Sequence, residues 1–428
     1  MKFYADLHIH SRFSRATSKD LSLEQLSYWA QLKGLKVIST GDCIHPQWLE
    51  ELKEKLEPAE EGFFKLKKDY AAWAERRLPL ACHSEVRFVL TSEISDIYKK
   101  DEKVRKVHNV IFLPNFAVVD HVQRRLDGIG NIRSDGRPIL GLDSRDLLEI
   151  VLESDPLSYL IPAHIWTPWF SVLGSKGGFD SLRHCFGDLT EHIFAVETGL
   201  SSDPPMNWRL SQLDDYAMIS CSDAHSAGKL GRESTIFDGD FSYPGLRDAL
   251  KNEGNPGLVG TVEFYPQEGK YHFDGHRNCQ TRMHPRETIE HKGLCPVCGK
   301  PVTVGVMARV EELADHPQGR KSPKARPFYS LIPLPEIIAE TRGTGPNTRA
   351  VQDVYFQMLG RLGNEMSILN DLPVEQIEKK AGALIGEGIR RVRSGKVRID
   401  AGYDGEYGKV RIFNDAERRD AKEQMTLF

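Results

Sequence analysis

Three residues at the start of the chain have the makings of a metal site. Asp6, His8 and His10 occupy every second position of "FYADLHIH", and alternation along a strand sends all three side chains to one face. Imidazoles crowded beside a carboxylate make a poor core, but they are good donors for zinc, manganese or iron. The same donor types return further on: Asp42 in "STGD", Glu93 in "TSEI", His108 in "HNVIF", His164 in "PAHIW", Glu197 in "AVETG", and Asp223 with His225 in "CSDAH". A lone histidine is ordinarily a satisfied core or surface residue. Recurrence beside one β-rich run after another is the pattern of a shared cluster, with Asp6 as a partner behind the histidines. Several such groups hold two or three divalent ions (Zn2+, Mg2+ or Mn2+), and paired ions serve phosphoester hydrolysis. Lys229 and Arg232, in "SDAHSAGKLGRES", follow the last donors and are candidate phosphate clamps.

A second group is built on sulfur. Cys279-x4-His284 followed by Cys295-x2-Cys298 makes a Cys3His set for a structural Zn2+, with His276 and His291 as alternatives to His284. A redox Cys-x2-Cys normally opens a helix, whereas "CPVCGKPV" ends in a turn. The odd number of cysteines, seven, argues for reduced thiols or metal ligands.

The net charge of −4 weighs against a nucleic-acid binder unless positive charge is local. It is local. "DHPQGRKSPKARPFYS" and the residues after it carry Arg320, Lys321, Lys324, Arg326, Arg342 and Arg349, and a second basic stretch spans 379–398. Arg326 and Arg342 are the candidate DNA contacts here. Trp166, Trp169 and Phe170 in "HIWTPWF" directly follow His164 and are candidates to stack on a base or wedge into a duplex. The terminal "QMTLF" (Gln424, Met425, Thr426, Leu427, Phe428) resembles the bacterial sliding-clamp-binding peptide.

The order of secondary structure explains how distant donors meet. Up to about residue 245, seven β-rich runs alternate with helical patterns, which predicts a parallel α/β sheet, open or closed into a barrel. In such barrels chemistry collects at the C-terminal ends of the strands. The expected divisions are a metal-dependent nuclease domain at 1–255, a zinc-binding domain at 256–315, a basic helical DNA-contacting domain at 316–410 and a tail at 411–428. No apolar run approaches the roughly 18 residues of a membrane span, and no signal-peptide pattern opens the chain. A cytoplasmic, nucleoid-associated monomer is expected.

"ADLHIHSRFS", "STGD", "TSEI", "PAHIW" and "CSDAHS" together resemble the polymerase and histidinol phosphatase (PHP) superfamily. The resemblance implies a distorted seven-stranded (β/α) barrel with metals at the strand C-termini. It also implies ligand roles for His8, His10, Asp42, Glu93, His108, His164, Asp223 and His225, with Glu197 as ligand or partner. Two departures stand out. The second motif reads "GDCIH", so Cys43 fills a histidine slot that His45 takes or leaves empty. After His10, "SRFSRATSKD" offers only Arg15 and Asp20. With "GHRNCQTRMHPRET", "LCPVCGKPVTVG" and "GYDGEYGKVRIF", the whole chain is similar to the endonuclease Q family of PHP-type DNA repair nucleases. That similarity implies nicking 5′ to a deaminated base (hypoxanthine, uracil) or an abasic site. The alternatives are a small-molecule phosphatase and a non-enzymatic adaptor between DNA and the clamp.

Overall fold

β-Branched and aromatic runs become strands, and the polar, capped stretches between them become helices. The computed structural model describes residues 1–252, 257–414 and 417 and has a mixed α/β architecture. Nine strands position the candidate site: β1 (Lys2–Asp6), β2 (Leu35–Ser39), β3 (Arg87–Lys100), β4 (Lys103–Leu113), β5 (Tyr159–Pro162), β6 (Ala195–Glu197), β7 (Ala217–Ile219), β8 (Ser234–Asp238) and β9 (Gly257–Glu263). β1, β2 and the start of β3 run parallel, with Ala5 opposite Val37 and Ile38 opposite Phe88. β8 joins the free edge of β1 antiparallel, and β9 joins β8. β6 and β7 form a parallel pair. That pair is tied to its neighbours by Ile165 N donating to Glu197 O (3.0 Å) and Ser220 N donating to Thr235 Oγ1 (3.0 Å). Leu7, Val37, Val89, Ile161, Ala195 and Ile219 pack together as an inner core. The helices bury their apolar faces in a second, larger core.

Two expectations are corrected here. First, the sheet is not parallel throughout. β3 and β4 form an antiparallel hairpin from Leu90↔Leu113 to Lys100↔Lys103, and β5 is antiparallel to β4. The two-residue turn Asp101–Glu102 has φ of 52° and 60°, the left-handed pair that suits a tight hairpin. Without glycine or asparagine, that turn carries no strong sequence signal. Glu93 and His108 therefore lie within strands, and the C-terminal-end rule misplaces them. Second, a division after residue 255 falls too early, because β9 is a paired member of the main sheet. The short strand Phe328–Ser330, within the expected connecting loop, adds to its edge.

The helices Leu334–Arg342, Arg349–Leu362, Val374–Ala381 and Ala383–Arg393 pack on one another, and Ala383–Arg393 also meets the edge strand Phe328–Ser330. Glu365 is the knot. It is buried, pairs with Lys33 Nζ at 2.7 Å, and accepts hydrogen bonds from Tyr355 Oη (2.7 Å) and Leu334 N (3.0 Å). Removing one partner of a buried pair leaves the other charge uncompensated, at a cost of about 3–5 kcal/mol. Glu365→Ala is therefore expected to lower unfolding stability by about that amount in urea titrations. The double change Lys33→Met with Glu365→Leu is expected to recover most of the loss. Among the described residues, no helix is long and apolar enough to cross a membrane.

Candidate metal centre

β1 ends in Asp6, and the chain continues through His8 and His10 into a loop, with all three side chains buried. Asp6 accepts from Ser222 N (3.0 Å) and Gly231 N (2.9 Å), tying this strand end to the loop that carries Asp223. Burial lifts the Asp6 pKa to about 6 against those hydrogen bonds.

Two groups of donor atoms converge. His8, His10 and Asp223 form one; Glu93, His108 and His164 form the other, and within each the donor atoms lie within 4.8 Å of one another. Glu93 spans both. Its Oε2 lies 3.6 Å from His8 Nε2 and 3.3 Å from His10 Nε2, while its Oε1 lies 2.6 Å from His108 Nδ1 and 3.0 Å from His164 Nε2. Asp223 Oδ1 is 3.0 Å from His10 Nε2. His8 Nε2 is buried without a hydrogen-bond partner among the described residues. An orphaned imidazole nitrogen aimed at carboxylates is costly unless something binds it, so the donor set fits divalent cations.

The electrostatics follow from this crowding. Burial disfavours charge on His8 and His10, but the surrounding carboxylates outweigh it and hold both well above the ordinary histidine range. Burial likewise opposes the Glu93 carboxylate, which His108, Arg137 and His8 hold well below its ordinary range. Asp223 is also held low, mainly by His10 and His8 against burial. For His108 burial wins, and its pKa falls to about 4. A neutral imidazole is the metal-binding form.

Backbone strain marks the same residues. Asp42, His164 and Asp223 have φ of 49°, 29° and 46°, left-handed values that cost non-glycine residues about 1–3 kcal/mol each and cluster at functional sites. Gly199, beside Glu197, sits against His164 so closely that a Cβ would collide.

Two expected ligands stand behind the centre. Glu197 accepts from His8 Nδ1 (2.9 Å) and from His164 N (2.9 Å). Asp42 accepts from His10 Nδ1 (3.2 Å) with one oxygen and from Ser11 N, Ser11 Oγ and Ser14 Oγ (2.7, 2.6 and 2.8 Å) with the other. Both stand outside the two donor groups, and each holds an imidazole Nδ1 so that Nε2 faces inward. His225 also lies outside both groups, its Nδ1 donating to the Asp223 carbonyl (2.9 Å) beside the His10 ring. The "GDCIH" question resolves against both candidates. Cys43 is in the core, and His45 bonds Arg133 O (3.0 Å) and caps the helix Pro46–Lys55. Beyond His10, the Arg15 side chain is exposed, and Ser11 and Ser14 hold Asp42 instead.

The candidate phosphate clamps separate. Lys229 is largely exposed, with Glu336 at 3.9 Å. Arg232 donates to Ser222 O (2.8 Å) and Asp223 O (3.4 Å), bracing the Asp223 loop rather than reaching for a ligand. Arg137 is the cation that sequence reasoning missed. It donates to Glu93 Oε2 at 3.1 Å, and its only signal was the turn-like "RSDGRP".

Trp166 is corrected to a core residue, since it is buried and donates to Asn207 Oδ1 (2.7 Å). Trp169 is 47% exposed, and Phe170 lies against the His108 ring at 4.7 Å. Arg326 is exposed. By register it lies toward the N-terminal end of β1, away from His8 and His10, with Asn252 at 3.4 Å. Arg342 closes the helix Leu334–Arg342, partly buried. Gln424–Phe428 lie outside the described residues.

The sulfur group resolves with a different histidine. His276, Cys279, Cys295 and Cys298 bring donor atoms within 4.8 Å of one another. The hairpin of Asp274–His276 with Thr281–Met283 places His276 across from Thr281, near Cys279. His284 is corrected to a helix cap: its Nδ1 accepts from Arg286 N (3.4 Å), and the Glu287 carboxylate accepts from His284 N (2.6 Å). Burial opposes a thiolate at Cys295, yet backbone N–H groups of Cys298 and Val297 bring its pKa down to about 6. A ready thiolate suits a metal.

Behind the centre lies a buried acid. Glu263 accepts from Thr198 Oγ1 (3.1 Å) and Ser220 Oγ (3.2 Å), and burial pushes its pKa up to about 8 from an ordinary 4.5. The folded state therefore holds a proton that the unfolded chain releases at lower pH. Its stabilisation is complete below about 4.5 and is lost as pH rises through about 8. Thermal melts of the protein are expected to fall between about pH 5 and pH 8 and to level off above it, and Glu263→Gln to flatten that slope. A wild-type slope retained in the variant would overturn it.

A mixed α/β sheet with a two-lobed histidine–carboxylate centre, a Cys3His donor cluster and a C-terminal helical segment defines a class of α/β proteins with donor sets that can hold metal ions. The profile of the MJ0043 C-terminal domain family matches residues 333–396. The uncharacterized protein MJ0043 of Methanocaldococcus jannaschii is 33% identical over 274 residues, which are 61% of this chain and 33% of that protein. The chain thus spans about a third of that relative's length. The crystal structure of the lesion-specific endonuclease PfuEndoQ from Pyrococcus furiosus superposes with a TM-score of 0.83 and 32% identity, covering 96% of this chain and 95% of that one. An endonuclease Q complex with a 27-mer duplex carrying an abasic lesion at its active site gives 0.82 and 32%, covering 97% and 98%. The chain belongs to the endonuclease Q family.

Proposed function

We propose that this protein is a metal-dependent DNA repair endonuclease that nicks one strand 5′ to a deaminated base (hypoxanthine or uracil) or an abasic site. The observation carrying the reading is Glu93, one carboxylate shared between two donor groups. It belongs to a chain similar along nearly its whole length to an endonuclease solved on abasic duplex DNA. Divalent ions held by His8, His10 and Asp223 and by Glu93, His108 and His164 would supply Lewis-acid activation and neutralise developing charge. Glu197 and Asp42 keep two imidazoles in register. Asp223, a quarter exposed and held ionised, faces the open side, where it orients the attacking water. The mixed sheet is read as the PHP-type barrel. The knuckle of His276, Cys279, Cys295 and Cys298 is read as a structural Zn2+ site, and the basic helical segment as a DNA-contacting domain. Trp169, which is exposed, and Phe170, which lies on the His108 ring, are read as contacts for a distorted strand. The terminal QMTLF is read as a sliding-clamp tether, with the protein at work on the nucleoid.

The test uses end-labelled duplexes carrying a single uracil, hypoxanthine or abasic site, with Mg2+, Mn2+ or Zn2+. Fragments ending 5′ to the lesion, with undamaged duplex left intact, are the expected result. Turnover of a small phosphate monoester without any DNA cleavage would instead establish the phosphatase reading.

A further inference from the structure

Neither basic residue of the "SDAHSAGKLGRES" loop presents a free cation to the centre: Arg232 is spent on backbone carbonyls and Lys229 faces solvent near Glu336. Arg137 does face it. Its Nη1 reaches Glu93 Oε2, the same oxygen that lies near His8 and His10. Glu93 takes one N–H of the guanidinium, and no other acceptor takes its side-chain N–H groups among the described residues. The side chain is still 24% exposed. It stands at the open edge of the centre with donors to spare.

The loop delivering Arg137 is pinned on several sides. Asp135 Oδ1 accepts from Arg137 N and from Arg15 N, each at 3.1 Å. Gly136 N donates to Phe13 O (3.0 Å), Ser95 N donates to Pro138 O (3.0 Å), and His45 donates to Arg133 O (3.0 Å). Gly136 rests against Asp42 and Ser14, where a Cβ would collide. One short loop is thus locked to the segments carrying His10, Asp42 and Glu93. A guanidinium pre-positioned in this way binds phosphate oxygens with paired, directional donors at little reorganisation cost.

We propose that Arg137 is a catalytic residue that clamps a non-bridging oxygen of the scissile phosphodiester, stabilising the charge that builds there as the P–O bond breaks. The assignment rests on the phosphoester-hydrolysis reading above. Three readouts test it on metal-loaded protein: bound metal by mass spectrometry, affinity for inorganic phosphate by calorimetry, and turnover of bis(4-nitrophenyl) phosphate beside the lesion duplexes.

Arg137→Ala is expected to keep the wild-type metal content, bind inorganic phosphate about tenfold more weakly, and lose on the order of 10²–10³ in kcat, as for removal of a pre-organised oxyanion donor. Arg137→Lys, which keeps charge but not the fork, is expected to recover part of the loss, and added guanidinium to rescue Arg137→Ala. Wild-type phosphate affinity in Arg137→Ala would overturn the proposal. So would loss of metal in both Arg137→Ala and Arg137→Lys, since the residue would then merely position Glu93. If the wild-type protein bound phosphate in an Arg137-dependent way yet cleaved no lesion duplex, the DNA reading would fail and the clamp would stand.

Discussion

Glu93→Gln is expected to abolish hydrolysis, lowering single-turnover rates by about 10³-fold or more, because several kcal/mol of charge stabilisation converts at about 1.4 kcal/mol per decade. The substitution keeps shape and removes charge. Each Glu93 oxygen faces two imidazoles, Oε2 toward His8 and His10 and Oε1 toward His108 and His164. A neutral amide offers one acceptor and one donor in place of two anionic acceptors, so one donor group loses its bridge and meets a like-polarity N–H. Metal content should fall with the rate, whereas DNA affinity measured by fluorescence anisotropy should stay largely intact if, as proposed above, the basic helical segment carries the phosphate contacts. His8→Ala and Asp223→Ala are expected to behave alike. An E93Q protein within tenfold of the wild-type rate would refute the shared-carboxylate centre.

The second large effect belongs to the sulfur group. Met283, Cys295 and Val302, with Cys279 against them, form a hydrophobic cluster far too small to hold a fold on its own. Structural zinc supplies about 10–16 kcal/mol of apparent binding energy in such segments. Cys295→Ala or His276→Ala is therefore expected to release one zinc per chain and open residues 270–305 to limited proteolysis. His284→Ala should keep the zinc and lose only a helix cap, on the order of 1 kcal/mol. Zinc released by His284→Ala but retained in His276→Ala would reverse the identification. Both histidines fit the linear spacing, so only this pair of variants separates them in solution.

That ambiguity shows where reading along the chain stops. The alternation at Asp6, His8 and His10 marked the right segment, although β1 ends at Asp6 and both histidines lie just beyond it; residue chemistry marked Asp223, the Cys-x2-Cys knuckle and the repeated β-rich runs. These follow from the two-residue period of a strand and from donor preferences, which are properties of a few adjacent residues. The antiparallel β3–β4 hairpin was not legible, since Asp101 and Glu102 take positive φ without the usual turn residues. That hairpin places Glu93 and His108 within strands rather than at their ends.

The same limit governs roles within the site. Asp42 and Glu197 look like ligands by type. They became orienting groups because Ser11, Ser14 and the backbone of His164 already take their oxygens. Trp166 and Trp169 differ by three positions, yet one is buried against Asn207 and the other is open to solvent. Arg137 had no signal beyond a turn-like stretch, because its partner Glu93 is 44 residues away and the loop that carries it is held by long-range bonds. Donor type and strand phase are written into short stretches. Which oxygen, which imidazole and which cation face one another depends on distances set when the strands pair and their loops lock, and no short stretch encodes those distances.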